Sequence, residues 1–488
     1  MEWESRGNRR TDIERLDDGA DFAALLRWCR RRAGLGQATL AELSGLGVRT
    51  IRDLELGRTS HPHRESVRLL ADALRLEGDA GERFRRAAGH APHAEPLQLP
   101  ARPGQLPPDL ADFTGRPEQL AALRTLLTAG GRPAPAVVVL GGQPGAGKTA
   151  LAVRAGHELE SHFPHGCLHA DLRGTGPAPL TPGAVLASFL RALGVDGADV
   201  PADVDGRVAL YRSCTAGRRV LVLLDDAAAE AQVRPLLPSG AGCAALVTSR
   251  ARLAGLEAAV SLPVGVLERS EAVRLLGRVA GAARVAAEPA AAAAIVERCA
   301  FLPLAVRIAG ARLAGRPHWK LSRLTAVLDD DRRLLDELRA GDLNVRASIA
   351  VSYRLLGTDA RTAFRRIGLL DTPDFGVWAA AALVEAGVER AEHLYERLVE
   401  AHLLDVAGED AAGHARYRMP DLVRAFARER LLREESPDSR AEVLRRVVDR
   451  GLQFADRVAR LGAEPQVAGV SASGFAGAHA WALAESPR

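Results

Sequence analysis

The apolar run AVVVL at 136–140 is followed at once by GGQPGAGKTAL, and few folds accommodate this combination. The run has the length and composition of a buried strand, and the next residues fit G-x-x-x-x-G-K-[ST] at Gly142, Gly147, Lys148 and Thr149. Glycines let successive backbone N–H groups wrap a phosphate at a helix N-terminus, where the dipole also favours an anion. The pattern therefore predicts a strand, a phosphate-binding loop and a helix.

Lys148 is conspicuous because only two of the 65 basic residues in this 488-residue chain are lysines. We expect its ammonium group to bridge the β- and γ-phosphates of ATP, while the Thr149 hydroxyl ligates Mg²⁺. Gly145 and Ala150 complete the predicted nucleotide contacts of the loop. The alternative is a glycine-rich turn without a ligand, and the placement of so rare a lysine argues against it.

Three further apolar runs of strand length follow, separated by amphipathic stretches: GCLHADL at 166–172, VLVLL at 220–224 and AALV at 244–247. Strands that alternate with helices form parallel sheets with both faces covered. The chain therefore predicts an α/β domain in which the strands end at one edge of the sheet, beside the loop.

Polar residues follow two of these runs. Asp225 is predicted to hold Mg²⁺, through a water molecule, and Asp226 to orient or polarise the attacking water. Arg250, after the next strand, is placed to reach a γ-phosphate and to distinguish ATP from ADP. Lys148, Asp226 and Arg250 are thus the candidate catalytic residues. Ordinary surface positions are the alternative for the two aspartates and for the arginine.

Six prolines between 91 and 108 exclude a helix or a central strand and predict a semi-rigid linker. Segments with helical periodicity precede it, at 21–32, 37–44, 48–55, 65–76 and 80–88. From about residue 266 the pattern is helical again, except for a hairpin-like stretch at 403–419 that leads into a helix at 421–432. The chain therefore predicts several domains.

The stretch AGLGQATLAELSGLGVRTIRDLELGR at 33–58 resembles the helix-turn-helix of XRE-type repressors. Ala41 is small enough for two helices to cross closely, and Gly45 permits the turn between them. The second helix places an apolar face inward, formed by Val48, Ile51 and Leu54. Gly47 stands where a capping serine is usual, and glycine is a tolerable N-cap.

The outward face of that helix carries Arg49, Thr50 and Arg52, which suit base-edge or phosphate contacts in a major groove. Gln37, at the start of the preceding helix, is a candidate contact to the phosphate backbone. Asp53 and Glu55 follow closely, so we expect readout from the first turn. The alternative is a helical bundle that binds protein.

Six motifs in order resemble those of NB-ARC ATPases, which belong to the STAND class of switch NTPases: FTGRPEQL with Arg116, GGQPGAGKT, LLDD at 223–226, VTSR at 247–250, FLPLA at 301–305 and MPDLVR at 419–424. The resemblance covers about 113–435. It implies a nucleotide-binding domain, a small helical domain and a winged-helix domain folded over ATP or ADP. It also implies that Arg116 lies near the nucleotide and that Pro303 packs against the adenosine.

Two positions depart from the family pattern. The glycine before LPLA is Phe301 here, and the histidine of the Met-His-Asp motif, which the family places on the β-phosphate of ADP, is Pro420. Loss of that donor would weaken the closed, ADP-bound arrangement. The alternative is that Pro420 simply begins the following helix, where proline is harmless. Both can be true at once.

The predicted fold class is multidomain: an all-α helix-turn-helix bundle, an α/β P-loop NTPase domain with a parallel sheet, a helical domain and a winged-helix domain. The predicted segments are a flexible N-terminus (1–20), the helix-turn-helix domain (21–90), the linker (91–112), the nucleotide-binding domain (113–265), the helical domain (266–338), the winged-helix domain (339–435) and a partial helical C-terminal segment (436–488).

Charge and composition limit the classes of partner, the cellular location and the kinds of site that we expect. The net charge is +4, and residues 21–90 hold 13 arginines against 9 acidic residues, while the rest of the chain is balanced, which favours double-stranded DNA as a partner. No apolar run reaches the ~18 residues of a membrane span and the N-terminus is not a signal peptide, so we expect a cytoplasmic protein without a membrane partner. Five cysteines without a close pair predict buried thiols, and the histidines at 61, 63, 90 and 93 lack the context of a metal site.

The leading hypothesis is a transcriptional regulator that binds DNA through residues 21–90 under the control of an ATP/ADP switch with slow hydrolysis. The resemblance to bacterial antibiotic-pathway regulators favours control of secondary-metabolite genes and homo-oligomers in the ATP state. One alternative is a defence or signalling ATPase whose N-terminal bundle binds protein. Another is a DNA-partition or remodelling motor, which the order of the motifs disfavours.

Overall fold

The computed structural model describes residues 22–58, 62, 64–76, 78–88, 102–410 and 413–460. The chain forms two compact units, residues 1–98 and 99–488, and each is described by itself. The histidines at 61, 63, 90 and 93 lie outside the described residues.

The described residues of the N-terminal unit form a bundle of five short helices: α1 (Phe22–Arg32), α2 (Gln37–Ser44), α3 (Val48–Glu55), α4 (Arg64–Ala73) and α5 (Gly78–Ala87). Each helix contributes apolar residues at helical spacing to one core, in which Leu26, Leu40, Ile51, Leu70 and Phe84 are fully buried. Gly45 ends α2 in the left-handed conformation with φ 68°, as the predicted turn requires. The helical bundle predicted from the sequence is confirmed.

Two residues of α3 differ from the prediction. Val48 is 40% exposed, because as the first helical residue it lies beyond the core that Ile51 and Leu54 reach. Glu55 is buried rather than part of an acidic outer face. Arg30 on α1 forms an ion pair with it, at 2.6 Å between Nε and Oε1, and this pairing allows the carboxylate to be buried.

The second unit begins with a parallel five-stranded sheet in the order β2-β3-β4-β1-β5. The strands are β1 (Ala136–Gly141), β2 (Cys167–Asp171), β3 (Leu221–Ala227), β4 (Ala244–Ser249) and β5 (Ala259–Pro263). The helices of this region are α6 (Pro117–Thr128), α7 (Lys148–Leu159), α8 (Pro182–Ala192), α9 (Val204–Thr215) and α10 (Glu230–Val233). Separate apolar cores cover the two faces, so the predicted α/β architecture is confirmed. The edge strand β5 escaped prediction because it is short and half exposed.

A helical region follows, with α11 (Arg269–Ala280), α12 (Ala282–Ala287), α13 (Pro289–Arg298), α14 (Pro303–Ala314), α15 (Leu321–Leu328) and α16 (Leu334–Glu337). A short antiparallel pair, β6 (Arg339–Ala340) and β7 (Leu343–Asn344), ends it.

The next elements have the order of a winged helix: α17 (Val345–Leu355), α18 (Thr358–Ile367), β8 (Phe375–Gly376), α19 (Val377–Val384), α20 (Val388–Glu400), β9 (Asp405–Glu409), β10 (Ala415–Arg418), α21 (Asp421–Glu434) and α22 (Pro437–Arg460). Strands β8, β10 and β9 form one antiparallel sheet, so the predicted hairpin ahead of a helix is present. A single apolar core runs from Leu267 to Val447 and joins the helical and winged-helix regions.

The end of the proline-rich stretch packs onto the sheet. Gly104 forms a parallel bridge with Cys167 on edge strand β2, where the Cys167 N–H donates to the carbonyl of Pro103 at 2.6 Å. Asp109 and Asp112 extend the attachment through ion pairs with Arg154 on α7 and Arg307 on α14. Residues 102–112 are therefore an ordered part of the second unit.

The described helices include none with the length and apolar character needed to cross a membrane. All five cysteines are free thiols, and all are buried except Cys214, which is half-buried.

Candidate functional site

The loop between β1 and α7 has a backbone that its glycines make possible. Gly145 and Gly147 have φ of 83° and 86°, in the region that favours glycine. Gly142 has φ 156°, and a Cβ there would lie 2.2 Å from the carbonyl oxygen of Val264. These positions allow the loop to close over the start of α7, where its N–H groups are available to a phosphate.

Lys148 is held inside this loop. Its Nζ donates to the carbonyl oxygens of Gly142 at 2.7 Å and Gln143 at 3.2 Å. Burial, together with the charge of Arg250, lowers the pKa of Lys148 to about 7, although the nearby Asp226 and Asp225 raise it. The Lys148 amino group is thus held by carbonyl oxygens, which a phosphate can replace.

Thr149 and Asp225 come together at the carboxyl edge of the sheet. The Thr149 hydroxyl donates to Oδ1 of Asp225 at 2.8 Å, and the Thr248 hydroxyl donates to the same oxygen at 2.5 Å. These are hard oxygen ligands, which Mg²⁺ prefers. The two residues predicted to hold the metal ion thus fit it, and Thr248, inside the VTSR motif, is a neighbour to which that motif assigned no role.

Asp226 has a left-handed backbone, with φ 52°. Its Oδ2 accepts hydrogen bonds from the N–H and hydroxyl of Thr175, at 3.0 and 2.7 Å. Its Oδ1 lies 3.7 Å from Nε of Arg250. Arg250 also donates from Nη1 to the carbonyl of Ser348 on α17, at 2.8 Å. Two of the three candidate catalytic residues, Asp226 and Arg250, therefore face each other, and Arg250 also contacts the winged-helix region.

A cavity of about 660 Å³ joins these residues. It is lined by every predicted catalytic, nucleotide and metal residue except Gly142: Arg116, Gly145, Gly147, Lys148, Thr149, Ala150, Asp225, Asp226, Arg250 and Pro303. Gly142 instead fixes Lys148 through its carbonyl. A space of this size can hold a nucleotide.

Arg116 is buried, and its guanidinium group is bound to backbone. It donates to the carbonyls of Ala146, Gly265 and Val266, at 3.2, 2.5 and 3.1 Å. These bonds tie the phosphate-binding loop to the segment that leads into α11. Arg116 therefore has a structural role beside the cavity whether or not it touches a nucleotide.

Phe301 shows why a glycine is usual at its position. It and Ala300 both have left-handed backbones, with φ of 54° and 49°. They form the turn between α13 and α14, in which the Phe301 N–H donates to the carbonyl of Val296 and its carbonyl accepts from Leu267. This turn places Pro303 at the cavity, and it does so with two strained residues.

We therefore expect Ala300→Gly to stabilise the protein. Relief of the left-handed conformation gains about 1–2 kcal/mol, and the extra freedom of glycine in the unfolded chain costs about 0.5–1 kcal/mol. Thermal unfolding of the full chain should show the increase. Ala293→Gly, inside α13, makes the same chemical change in helical backbone and should destabilise by about 1 kcal/mol. A loss of stability in both variants would contradict the explanation.

Pro420 directly precedes α21 as its N-cap, with φ −57°. It is not among the residues that line the cavity. Its place at the start of the helix agrees with the simpler of the two interpretations, in which proline is harmless there.

The predicted DNA-binding residues are distributed over α2 and α3. Arg49, Thr50 and Arg52 are exposed on α3. Gln37 is half-buried, and its amide donates to Oε2 of the buried Glu55 at 2.7 Å. Three of the four residues are thus free to meet a ligand, while Gln37 is engaged in supporting the bundle.

Comparison with known proteins gives relatives for both units. A family model described as a helix-turn-helix domain matches residues 21–84. The regulatory protein AfsR of Streptomyces griseus is 44% identical over 395 residues, which are 79% of this chain and 40% of that protein. AfsR of Streptomyces coelicolor is 45% identical over 365 residues, 73% of this chain and 36% of that protein. The chain thus spans about two fifths of the length of these relatives.

Two solved structures are more distant. A signal transduction ATPase with a tetratricopeptide repeat sensor from Pyrococcus horikoshii is 17% identical, with a TM-score of 0.29. The matched region covers 72% of this chain and 47% of that chain. A Walker-type ATPase of Pyrococcus abyssi is 13% identical, with a TM-score of 0.40. The matched region covers 68% of this chain and 99% of that chain.

The N-terminal unit has only 98 residues, so an alignment over 79% of the chain must include most of residues 99–488. The relationship to AfsR therefore rests mainly on the region that contains the phosphate-binding loop. The chain carries a helix-turn-helix domain ahead of an α/β P-loop region and is a relative of the AfsR-type regulators, which confirms the resemblance to helix-turn-helix ATPase regulators.

Proposed function

We propose that this protein is a DNA-binding transcriptional regulator whose state is set by ATP or ADP. The observation that carries the proposal is the convergence of Lys148, Thr149, Asp225, Asp226 and Arg250 on one cavity. The helix-turn-helix match at 21–84 and the relationship to AfsR support the regulatory part. Secondary-metabolite genes are the target class that the resemblance of the ordered motifs to antibiotic-pathway regulators implies.

In this proposal each residue of the loop has a separate task. The N–H groups of the loop cradle the phosphates, and Lys148 leaves the carbonyl of Gly142 to bind them. Thr149 and Asp225 would hold Mg²⁺, which would neutralise part of the phosphate charge. Asp226, oriented by Thr175, positions the attacking water, and Arg250 stabilises the charge on the transferred group. Hydrolysis is slow, as suits a switch.

Arg250 provides the route from the cavity to the winged-helix region. Its guanidinium group lies between Asp226 and the carbonyl of Ser348 on α17. A γ-phosphate would compete with Ser348 for this group, because a charged acceptor binds a guanidinium more strongly than a carbonyl does. ATP would thereby release α17, whereas ADP would leave the contact in place. Assembly into homo-oligomers in the ATP state is part of the same proposal.

Genomic footprinting with wild-type protein and Lys148→Ala tests both parts of the function. We expect wild-type protein to protect discrete sites, with occupancy that differs between ATP and ADP, and the variant to lose this difference. Binding that is only non-specific at 50 mM salt and vanishes by about 200 mM would instead favour a protein-binding N-terminal bundle. Rapid DNA-stimulated hydrolysis would favour a motor.

Arg49 and Arg52 give the sharpest test of the DNA interface. Alanine at either position should cost about 1–3 kcal/mol on a specific site if the contact is to a base, and less on all sequences if it is to phosphate. Mobility shifts at fixed salt measure this cost. Arg31→Ala is a matched control, because Arg31 is an exposed arginine on α1. Unchanged binding by the double variant would contradict the assignment of α3 as the recognition helix.

A further inference from the structure

His402 lies where the winged-helix region meets the phosphate-binding loop. It follows α20 with a left-handed backbone, φ 52°. The next two residues, Leu403 and Leu404, are buried in the core and bond through their N–H groups to the carbonyl of Leu398. The backbone that follows His402 is therefore held in place.

The imidazole rests against Gly141, the last residue of β1. A Cβ at Gly141 would lie 2.9 Å from Nε2 and 3.2 Å from Cε1 of His402. Gly141 is itself held in place, because its carbonyl accepts a hydrogen bond from the N–H of Val264 at 2.7 Å. A side chain at Gly141 would have to displace the imidazole, so glycine allows this close approach by its size and not by its backbone conformation.

The nitrogen at this contact is unsatisfied. Nε2 of His402 is buried and has no hydrogen-bond partner within the described part of the chain. Burial, with the charges of Lys148 on α7 and Arg252 after β4, lowers the pKa of His402 to about 4. Burial also raises the pKa of the Asp405 carboxyl on β9, although the charges of Arg418 and Arg252 lower it. The ring is therefore neutral at physiological pH, in a setting dominated by cations.

A nucleotide would change this setting. The phosphates that bind at Lys148 stay net negative even with Mg²⁺ bound, so they would offset part of the cationic charge that now disfavours a proton on the ring. A protonated imidazole has two N–H donors and attracts an anion. The proton comes from solvent, and no bond is made or broken elsewhere.

We propose that His402 senses the nucleotide phosphates: its imidazole takes up a proton when a diphosphate or triphosphate occupies the loop, and the resulting cation holds the winged-helix region at Gly141. This inference rests on the proposed nucleotide binding. It assigns His402 a positioning role between the loop and the winged-helix region, and it makes nucleotide affinity depend on pH.

Calorimetry of MgADP binding to the full chain, in two buffers of different ionisation enthalpy between pH 5 and 7, counts the protons exchanged. His402→Asn is the informative variant, because asparagine tolerates the left-handed backbone and cannot be protonated here. The difference between the two proteins cancels proton exchange by ADP itself. His393→Gln, at an exposed histidine on α20, is the matched control.

We expect wild-type protein and His393→Gln to take up more protons per ADP than His402→Asn, by about 0.4 at pH 5 for a rise of one unit in the His402 pKa and by less at higher pH. Their affinity should then fall more steeply with rising pH than that of His402→Asn. Equal proton uptake by all three proteins, with ADP still bound, would overturn the role of His402 alone. Absence of ADP binding to the wild-type protein would overturn the proposed function as well.

A measurement on the wild-type protein needs no variant. Among the signals of its 13 histidines, carbon-13 NMR should show one that titrates near pH 4 without nucleotide. Saturating MgADP should raise that pKa by at least about one unit. A low-pKa signal that ADP leaves in place would contradict the proposal.

Discussion

Lys148→Ala is expected to weaken ATP binding at least about a hundredfold and ADP binding at least about tenfold. A hydrogen bond to a charged group contributes about 1.5–3 kcal/mol, and Lys148 is expected to bind two phosphates of ATP and one of ADP. The variant also leaves the carbonyl of Gly142 without the donor that now lies 2.7 Å away, so the empty loop should lose order too. Calorimetric titration with each nucleotide measures the effect.

The chain supplies its own control, since Lys320 is its only other lysine. Lys320 is exposed at the start of α15, and Lys320→Ala should bind nucleotides as the wild-type protein does. The N-terminal unit should keep its fold in both variants, because it has its own core. Full-strength ATP binding by Lys148→Ala would exclude the loop as a nucleotide site.

Glu55→Ala should destabilise the helix-turn-helix bundle by about 3–5 kcal/mol. The Glu55 carboxylate accepts two hydrogen bonds from Arg30, at 2.6 and 3.1 Å, and one from Gln37. The side chains of Arg30 and Glu55 are only 12% and 4% exposed. Removal of the carboxylate leaves a buried guanidinium without its charge partner, and this desolvated cation carries most of the penalty.

Hydrogen exchange in the full chain measures this loss at α1 and α3, where protection should fall at least about a hundredfold. Asp53→Ala is the control, because the ion pair of Asp53 with Arg58 is exposed and should contribute at most about 1 kcal/mol. Unchanged protection in Glu55→Ala would show that the ion pair is dispensable.

The same ion pair gives a pH dependence. Burial raises the pKa of Glu55, but the hydrogen bonds from Arg30 and Gln37 outweigh it and lower the pKa below 4.5. A lowered folded-state pKa contributes stability at higher pH, and this contribution is lost as pH falls through the folded value. The bundle should therefore weaken under acid conditions below about pH 4.5, and Glu55→Gln should remove that dependence.

Local patterns predicted most of the fold. The β1 strand, the loop glycines and α7 follow one another in the chain, so their chemistry can be read without knowledge of distant residues. The same holds for α2 and α3, whose turn requires Gly45. The fold class is confirmed for this reason, whereas the domain boundaries and the functions of individual site residues remain predictions.

Features that depend on distant residues could not be predicted. Arg30 and Glu55 are 25 positions apart, and no local signal indicates that a glutamate near a helix end is buried. Arg250 meets Ser348 across 98 positions. His402 reaches Gly141 from a loop of the winged-helix region. A histidine between apolar residues could have suggested burial, but it does not indicate which surface the ring would meet.

The bridge between Gly104 and Cys167 also bears on solubility. The open edge of β2 presents backbone groups that another chain could pair with, and such edges promote aggregation. Here the edge is covered by a segment that contains Pro103, Pro107 and Pro108, which lack the N–H needed to extend the ladder. The segment therefore covers the edge of β2, and its prolines make it a poor partner for a further strand. A chain cut at residue 113 would lose this cover, so expression of the second unit alone should begin before residue 102.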